Sequence, residues 1–123
     1  MMSPTVVIEQ KNAMIAHELA NRLHAHFACV EVASDDAELR RILGHHEAHL
    51  AVLDLEMADS REIHELANRY PEVVIVSTHR LPDEQKWIET LRAGADEFCH
   101  PLDIHSILHC SQYAAHRHLA HAA

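Results

Sequence analysis

The chain has 123 residues, 48% of them apolar, and a formal net charge of −9 when histidine is neutral. That length forms one domain with one core, so we expect residues 1–123 to be a single domain. The acidic balance argues against direct binding of nucleic acid, which usually requires a basic face. No apolar run approaches the roughly 20 residues that span a membrane. Because no basic segment precedes the first apolar run either, the sequence predicts a cytoplasmic protein.

Five short apolar segments predict strands. TVVIE (5–9), LAVLD (50–54) and VVIVS (73–77) are continuous runs rich in Val, Ile and Leu. Such runs are typical of strands that are buried on both faces of a parallel sheet. CVEVA (29–33) alternates between apolar and polar residues, which predicts a more exposed strand, and EFC (97–99) is a short fifth candidate.

A segment with helical spacing of its apolar residues follows each predicted strand. The helices are predicted over 11–26, 35–46, 59–69, 83–93 and 103–119. Asp35 with Glu38, and Asp59 with Glu62, have the spacing of a helix capping box. Strand and helix thus alternate five times, which predicts an α/β fold with helices on both faces of a parallel sheet.

Three of the predicted strands end on a polar residue, namely Glu9, Asp54 and Ser77. In a parallel α/β sheet, ligands bind at the carboxyl ends of the strands. We therefore expect these three side chains to lie on one rim of the sheet. Any one of them alone would be explained as a turn residue or a helix cap, but the three together favour a functional site.

Several segments, in order and spacing, resemble those of a response regulator receiver domain of the CheY-like family. AVLDLEM (51–57) resembles the phosphoacceptor strand and the loop after it, and VVIVST (73–78) resembles the fourth strand with its hydroxyl residue. RAGADEF (92–98) resembles the approach to the fifth strand, and CHP (99–101) stands where the family has lysine and then proline. The resemblance covers almost the whole chain. It implies a single doubly wound (βα)5 domain, flavodoxin-like, with a five-stranded parallel sheet in the order 2-1-3-4-5.

The resemblance assigns roles to four residues around the strand ends. Asp54 would accept a phosphoryl group from the phosphohistidine of a kinase. Ser77 would donate a hydrogen bond to a phosphoryl oxygen, and His100 would stand in the place of the lysine. Phe98 would be the aromatic switch residue that changes rotamer when Ser77 is drawn toward Asp54.

The resemblance also implies a bound Mg²⁺ ion, which neutralises charge on the phosphoryl oxygens. Its ligands would be the side chains of Glu9, Gln10 and Asp54 and the backbone carbonyl of Glu56. Gln10 stands where the family has a carboxylate, so the sequence predicts a degenerate acidic pocket that binds Mg²⁺ weakly.

Two residues are candidates for the cation that the lysine supplies in the family. The fifth-strand segment is one residue short, so His100 takes the place of the lysine only if the gap lies ahead of it. A neutral imidazole does not replace a permanent cation, and Lys11 is an alternative source of positive charge.

Three functions from different classes remain open. The leading one is a phosphorylated receiver module, not an enzyme, whose partner is a sensor histidine kinase or phosphotransfer protein. It would signal to a downstream protein or effector domain through residues 84–119, and the resemblance also allows a homodimer. The alternative is a non-phosphorylated pseudo-receiver that acts as a binding or dimerisation scaffold. A flavodoxin-like enzyme or cofactor binder is disfavoured because EQKNAM (9–14) lacks the Gly, Ser and Thr residues that would wrap a phosphate.

Two further patterns have weaker significance. GADEF (94–98) differs by one residue from the GGDEF signature of diguanylate cyclases, but it follows a predicted helix and precedes a proline turn, where that signature occupies a hairpin. Three pairs of histidines lie close in sequence: His45 with His46, His105 with His109, and His116 with His118. No metal-binding motif includes them, so solvated surface histidines are the favoured interpretation.

Overall fold

The computed structural model of the protein describes residues 5–45 and 47–122, with the backbone alone described for 114–116 and 118–122. His46 and the side chains of His116 and His118 lie outside the described residues. His45, His105 and His109 are exposed, as predicted. No helix within the described ranges is long and apolar enough to cross a membrane.

Five strands alternate with five helices along the described chain. The elements are β1 Thr5–Glu9, α1 Ala13–Leu23, β2 Cys29–Val32, α2 Asp36–Gly44, β3 Leu50–Asp54, α3 Ser60–Arg69, β4 Val74–Thr78, α4 Glu84–Ala93, β5 Glu97–Cys99 and α5 Ile104–Ala122. The strands form one parallel sheet in the order β2-β1-β3-β4-β5. This confirms the predicted doubly wound (βα)5 fold. Because β5 is a parallel strand, the GADEF segment does not form a hairpin.

The sheet is buried on both faces by two apolar clusters. Successive residues of a strand point to opposite faces, so Leu50 and Val52 pack with α1 and α5, while Ala51 and Leu53 pack with α2 and α3. This two-sided burial explains why β3 reads as a continuous apolar run. Asp54 ends that run and is itself only 5% exposed.

Most predicted elements are shifted at one or both ends by one to three residues, and hydrogen bonds explain two of these shifts. β4 covers Val74–Thr78 and not 73–77, because the Val73 N–H donates to the Tyr70 carbonyl at 3.0 Å and closes the turn after α3. α1 covers Ala13–Leu23 and not 11–26, because the Asn12 side chain caps its start by accepting from the Ile15 N–H at 3.0 Å. The shift of β4 by one residue makes Thr78, rather than Ser77, the end of that strand.

Helices α2, α3 and α4 begin at the carboxyl edge of the sheet with aspartate caps. Asp35 accepts from the Glu38 N–H at 2.8 Å and Asp59 accepts from the Glu62 N–H at 3.0 Å, as the sequence predicted. Asp83 caps α4 in the same way. Each cap satisfies one of the free N–H groups at the helix start, so these carboxylates are structural and the other acidic residues of this edge are the site candidates.

Gly94 ends α4 with a backbone φ of 122°, where an added Cβ would lie 2.8 Å from the Cβ of Ala67. We expect Gly94→Ala to lower the free energy of unfolding by about 2–3 kcal/mol, because alanine is strained at this φ and overpacks against α3. Gly44 is the matched control, since a Cβ there meets no atom of the described residues within 4 Å. Gly44→Ala should raise the same free energy by up to about 1 kcal/mol. Urea denaturation measures both, and equal effects would contradict the strain at Gly94.

Candidate functional site

Asp54 lies at the carboxyl edge of the sheet and is held by two backbone amides. Its Oδ2 accepts from the Lys11 N–H at 2.9 Å, and its Oδ1 accepts from the Glu56 N–H at 2.9 Å. One donor comes from the loop after β1 and the other from the loop after β3, so both loops orient the carboxylate. Each oxygen still has a lone pair, and the group can therefore bind a cation or attack an electrophile.

Glu9 ends β1 next to β3, where it pairs with Leu53, and is only 1% exposed. Its Oε1 is buried, and among the described residues it has no hydrogen-bond partner. Burial first, and then the negative charges of Asp36 and Asp54, together raise the pKa of Glu9 from 4.5 to about 7. A buried carboxylate oxygen without a partner is costly, so this atom is a place where a proton or a cation would bind.

Gln10 is buried beside Asp54 and is hydrogen-bonded through its amide nitrogen. Its Nε2 donates to Thr78 Oγ1 at 2.9 Å, and that hydroxyl donates to the Leu53 carbonyl at 3.4 Å. Thr78 pairs in register with Asp54. The carboxamide oxygen is thus the atom that Gln10 can offer to a cation.

Ser77 and Phe98 lie on the opposite face of the sheet from Asp54. The register pairs Leu53 with Ser77 and Ser77 with Phe98, whereas Asp54 pairs with Thr78. Ser77 is 0% exposed, and its Oγ has no hydrogen-bond partner in the part of the chain that the structure describes. Sequence reasoning missed Thr78, although the second hydroxyl of VVIVST was a signal for it. Ser77 and Phe98 are adjacent as expected, and their switch roles stay predictions.

His100 follows β5 and is turned toward the start of α5. Its Nδ1 accepts from the Leu102 N–H at 3.1 Å. None of the hydrogen bonds or ion pairs found among the described residues joins His100 to Asp54. The predicted role of His100 in the place of a lysine therefore stays a prediction. Its Nδ1 is engaged by Leu102.

Three residues that the sequence did not single out as a group form a contact at the rim, which we call the rim clasp. They are Glu56, His79 and Arg80. The Glu56 carboxylate oxygens lie 3.4 and 3.5 Å from Arg80 Nη2, and Oε1 lies 3.8 Å from His79 Nε2. The clasp joins the β3–α3 loop, which follows Asp54, to the β4–α4 loop. No motif predicted it, because residues in loops contact one another without periodic spacing.

The residues at this edge are of the types that bind a divalent cation, but few of them are acidic. Glu9 Oε1, the Asp54 carboxylate, the Gln10 amide oxygen and the Glu56 carbonyl are hard oxygen donors of the kind that Mg²⁺ prefers. Within the described ranges, no group of three or more His, Cys, Asp or Glu residues could hold a metal ion. An ion at this edge would depend on two carboxylates, neutral oxygens and water.

Comparisons with known proteins place the fold. No family model matches the sequence, and no curated protein matches it. A response regulator protein from Burkholderia pseudomallei, crystallised with a phosphorylated aspartic acid, calcium ion and citrate, is similar at 21% identity and a TM-score of 0.77, covering 98% of this chain and 73% of that chain. The N-terminal receiver domain of a two-component response regulator from Bacteroides fragilis is similar at 21% identity and a TM-score of 0.80, covering 92% and 97%. An orphan response regulator of H. pylori is similar at 15% identity and a TM-score of 0.73, covering 94% and 96%.

Proposed function

Because the chain has the CheY-like receiver-domain fold, we propose that it is a signalling module, not an enzyme, that accepts a phosphoryl group on Asp54. The donor would be the phosphohistidine of a sensor histidine kinase or phosphotransfer protein. The observation that supports this most directly is the Asp54 carboxylate, which two backbone amides hold at the carboxyl edge of the sheet, where its charge helps to raise the pKa of Glu9. We expect the module to act in the cytoplasm.

The proposed transfer is a displacement at phosphorus. A carboxylate oxygen of Asp54 forms the new P–O bond while the P–N bond of phosphohistidine breaks, and that bond's electron pair stays on the imidazole nitrogen. The Lys11 and Glu56 amides orient the nucleophile, which is the main contribution that a protein makes to such a transfer. A bound Mg²⁺ would neutralise charge on the phosphoryl oxygens, held by Glu9, Gln10, Asp54 and the Glu56 carbonyl.

The proposed surface for downstream partners is the face that includes α4, β5 and α5, within residues 84–119. Trp87, the only tryptophan in the sequence, is 45% exposed. It lines a cavity of about 520 Å³ together with Phe98 and the residues that start α4, which are Pro82, Asp83 and Glu84. Because Phe98 also adjoins Ser77, a movement of Ser77 would reach this cavity directly. A downstream protein, an effector domain or a second copy of the chain would bind here.

A non-phosphorylated scaffold is the second candidate function, and two observations favour it. Gln10 supplies an amide where a third acidic side chain would sit, and the Nδ1 of His100 is engaged by Leu102. Incubation with acetyl phosphate and Mg²⁺, followed by mass spectrometry of the intact protein, separates the two. Addition of one phosphoryl group supports the receiver function, and an unchanged mass supports the scaffold.

We expect Gln10→Asp to bind Mg²⁺ more tightly than the unsubstituted chain. A unit charge pair at ~4 Å interacts by ~4 kcal/mol at an effective dielectric of ~20, of which desolvation and repulsion between carboxylates leave about 1–2 kcal/mol. Titration with Mg²⁺ measures the affinity. Gln85→Asp, which adds the same charge on the exposed side of α4, should change it little. Equal affinities for the Gln10→Asp protein and the unsubstituted chain would show that Gln10 does not lie at the ion.

A further inference from the structure

The rim clasp places a permanent cation next to the acceptor loop. Arg80 Nη2 lies 3.4 Å from Oε1 of Glu56, the residue whose N–H donates to Asp54 Oδ1 at 2.9 Å. The Arg80 side chain is 50% exposed. An ion pair this open to water is weak, so the guanidinium can exchange Glu56 for a more strongly charged group nearby.

The other basic residues of this edge bind other groups with their side chains or, in the case of Lys11, contact Asp54 through the backbone. Lys86 Nζ lies 2.7 Å from Asp83, and Arg40 is paired with Asp36 at 2.9 Å on the side of α2. Lys11 is exposed and gives Asp54 its backbone N–H. His100 is turned toward Leu102. Among these, Arg80 is the residue whose charged group the structure ties to the loop that follows the acceptor.

From this arrangement we infer that Arg80 is the phosphoryl-binding cation of this chain, held by Glu56 before phosphorylation and transferred to the phosphoryl oxygens afterwards. The inference rests on the proposed function. An aspartyl phosphate presents three oxygens and more negative charge than one carboxylate. A planar guanidinium binds such a group with two parallel hydrogen bonds, so the phosphoryl group should outcompete Glu56 for Arg80.

His79 completes the exchange, because it can hold Glu56 when Arg80 leaves. The His79 Nδ1 accepts from the Leu81 N–H at 2.9 Å. In the neutral ring the proton is therefore on Nε2, the atom that faces Glu56 Oε1 at 3.8 Å. The β4–α4 loop, which carries both residues, would thus be drawn over the phosphoryl group while staying attached to the β3–α3 loop.

The test is the affinity for beryllofluoride, a phosphoryl mimic, at saturating Mg²⁺, measured from the backbone amide signals around Asp54. We expect Arg80→Ala to weaken binding about tenfold, as loss of one charged hydrogen-bonding partner does. Arg80→Lys should restore part of the loss, and Glu56→Gln should tighten binding about threefold because it frees Arg80. Arg22→Ala is the matched control, since Arg22 is also an exposed arginine paired with a carboxylate, Glu18, at 2.8 Å, and it should bind as the unsubstituted chain does.

The possible outcomes separate the inference from the function on which it rests. If the unsubstituted chain binds beryllofluoride and the Arg80→Ala protein binds it equally well, Arg80 is not the cation and the receiver function stands. A loss in Lys11→Ala instead of Arg80→Ala would give the role to Lys11 and overturn the inference. Absence of binding to the unsubstituted chain would overturn both proposals.

Discussion

The Asp54→Asn protein should take up no phosphoryl group from acetyl phosphate, whereas the unsubstituted chain should gain one. The amide of asparagine is not a nucleophile toward phosphorus, so the loss should be complete rather than partial. The substitution also puts an NH₂ group where a carboxylate oxygen accepts a backbone N–H from Lys11 or Glu56. A modest loss of stability, about 1–2 kcal/mol, should therefore accompany the loss of phosphorylation.

Mass spectrometry of the intact protein and of its peptides measures the effect, and circular dichroism checks that the variant is folded. Glu18→Gln is the matched control, because it also changes an acid into its amide but lies on α1, where Glu18 pairs with Arg22 at 2.8 Å. This control should be phosphorylated on Asp54. A phosphoryl group that persists in the Asp54→Asn protein would show that another residue is the acceptor.

The fold could be predicted from the sequence because its signals are local and repeated. LAVLD predicted a strand buried on both faces, and the structure gives β3 those bounds with no residue more than 5% exposed. The spacing of Asp35 and Asp59 to the residues three positions later predicted where α2 and α3 begin. Periodicity and caps depend only on neighbours along the chain, so a single sequence is enough to identify them.

The site could be predicted only as far as strand ends are concerned. Glu9 and Asp54 both lie at the carboxyl edge of the sheet, as expected for the ends of parallel strands. The register between strands, however, is set by tertiary packing, so the pairing of Asp54 with Thr78 was not predictable from VVIVST. The turn of His100 toward Leu102 and the contact of Arg80 with Glu56 depend on loop conformation, for which the sequence carries no periodic signal.

The largest expected effect of pH on stability is at Glu9, whose folded pKa is raised from its ordinary value of 4.5 to about 7, first by burial and then by the charges of Asp36 and Asp54. Between these two values the folded chain binds more protons than the unfolded chain. The free energy of unfolding should therefore fall as the pH rises from about 4.5 through about 7. A shift of this size corresponds to about 3 kcal/mol, and relaxation around the buried charge should reduce the observed change to about 1–3 kcal/mol.

Glu9→Gln should remove this part of the pH dependence, so that the variant is more stable than the unsubstituted chain at pH 8 and similar to it at pH 5. Urea denaturation at both pH values with a chelator present measures the difference. Glu62 has a pKa that is also raised to about 7, by burial and by its hydrogen bond to Asp36, so a smaller slope of the same sign should remain. Glu18→Gln, on the exposed side of α1 and paired with Arg22, is the control and should leave the slope unchanged.

The same pair of proteins connects this stability to the proposed ion site. Adding Mg²⁺ at pH 8 should stabilise the unsubstituted chain, because an ion that binds only the folded state favours folding by mass action. It should stabilise Glu9→Gln much less, since the buried carboxylate of Glu9 would be gone. Equal stabilisation of the two proteins by Mg²⁺ would show that the ion binds away from Glu9, and the cost of this buried charge would then have no part in metal binding.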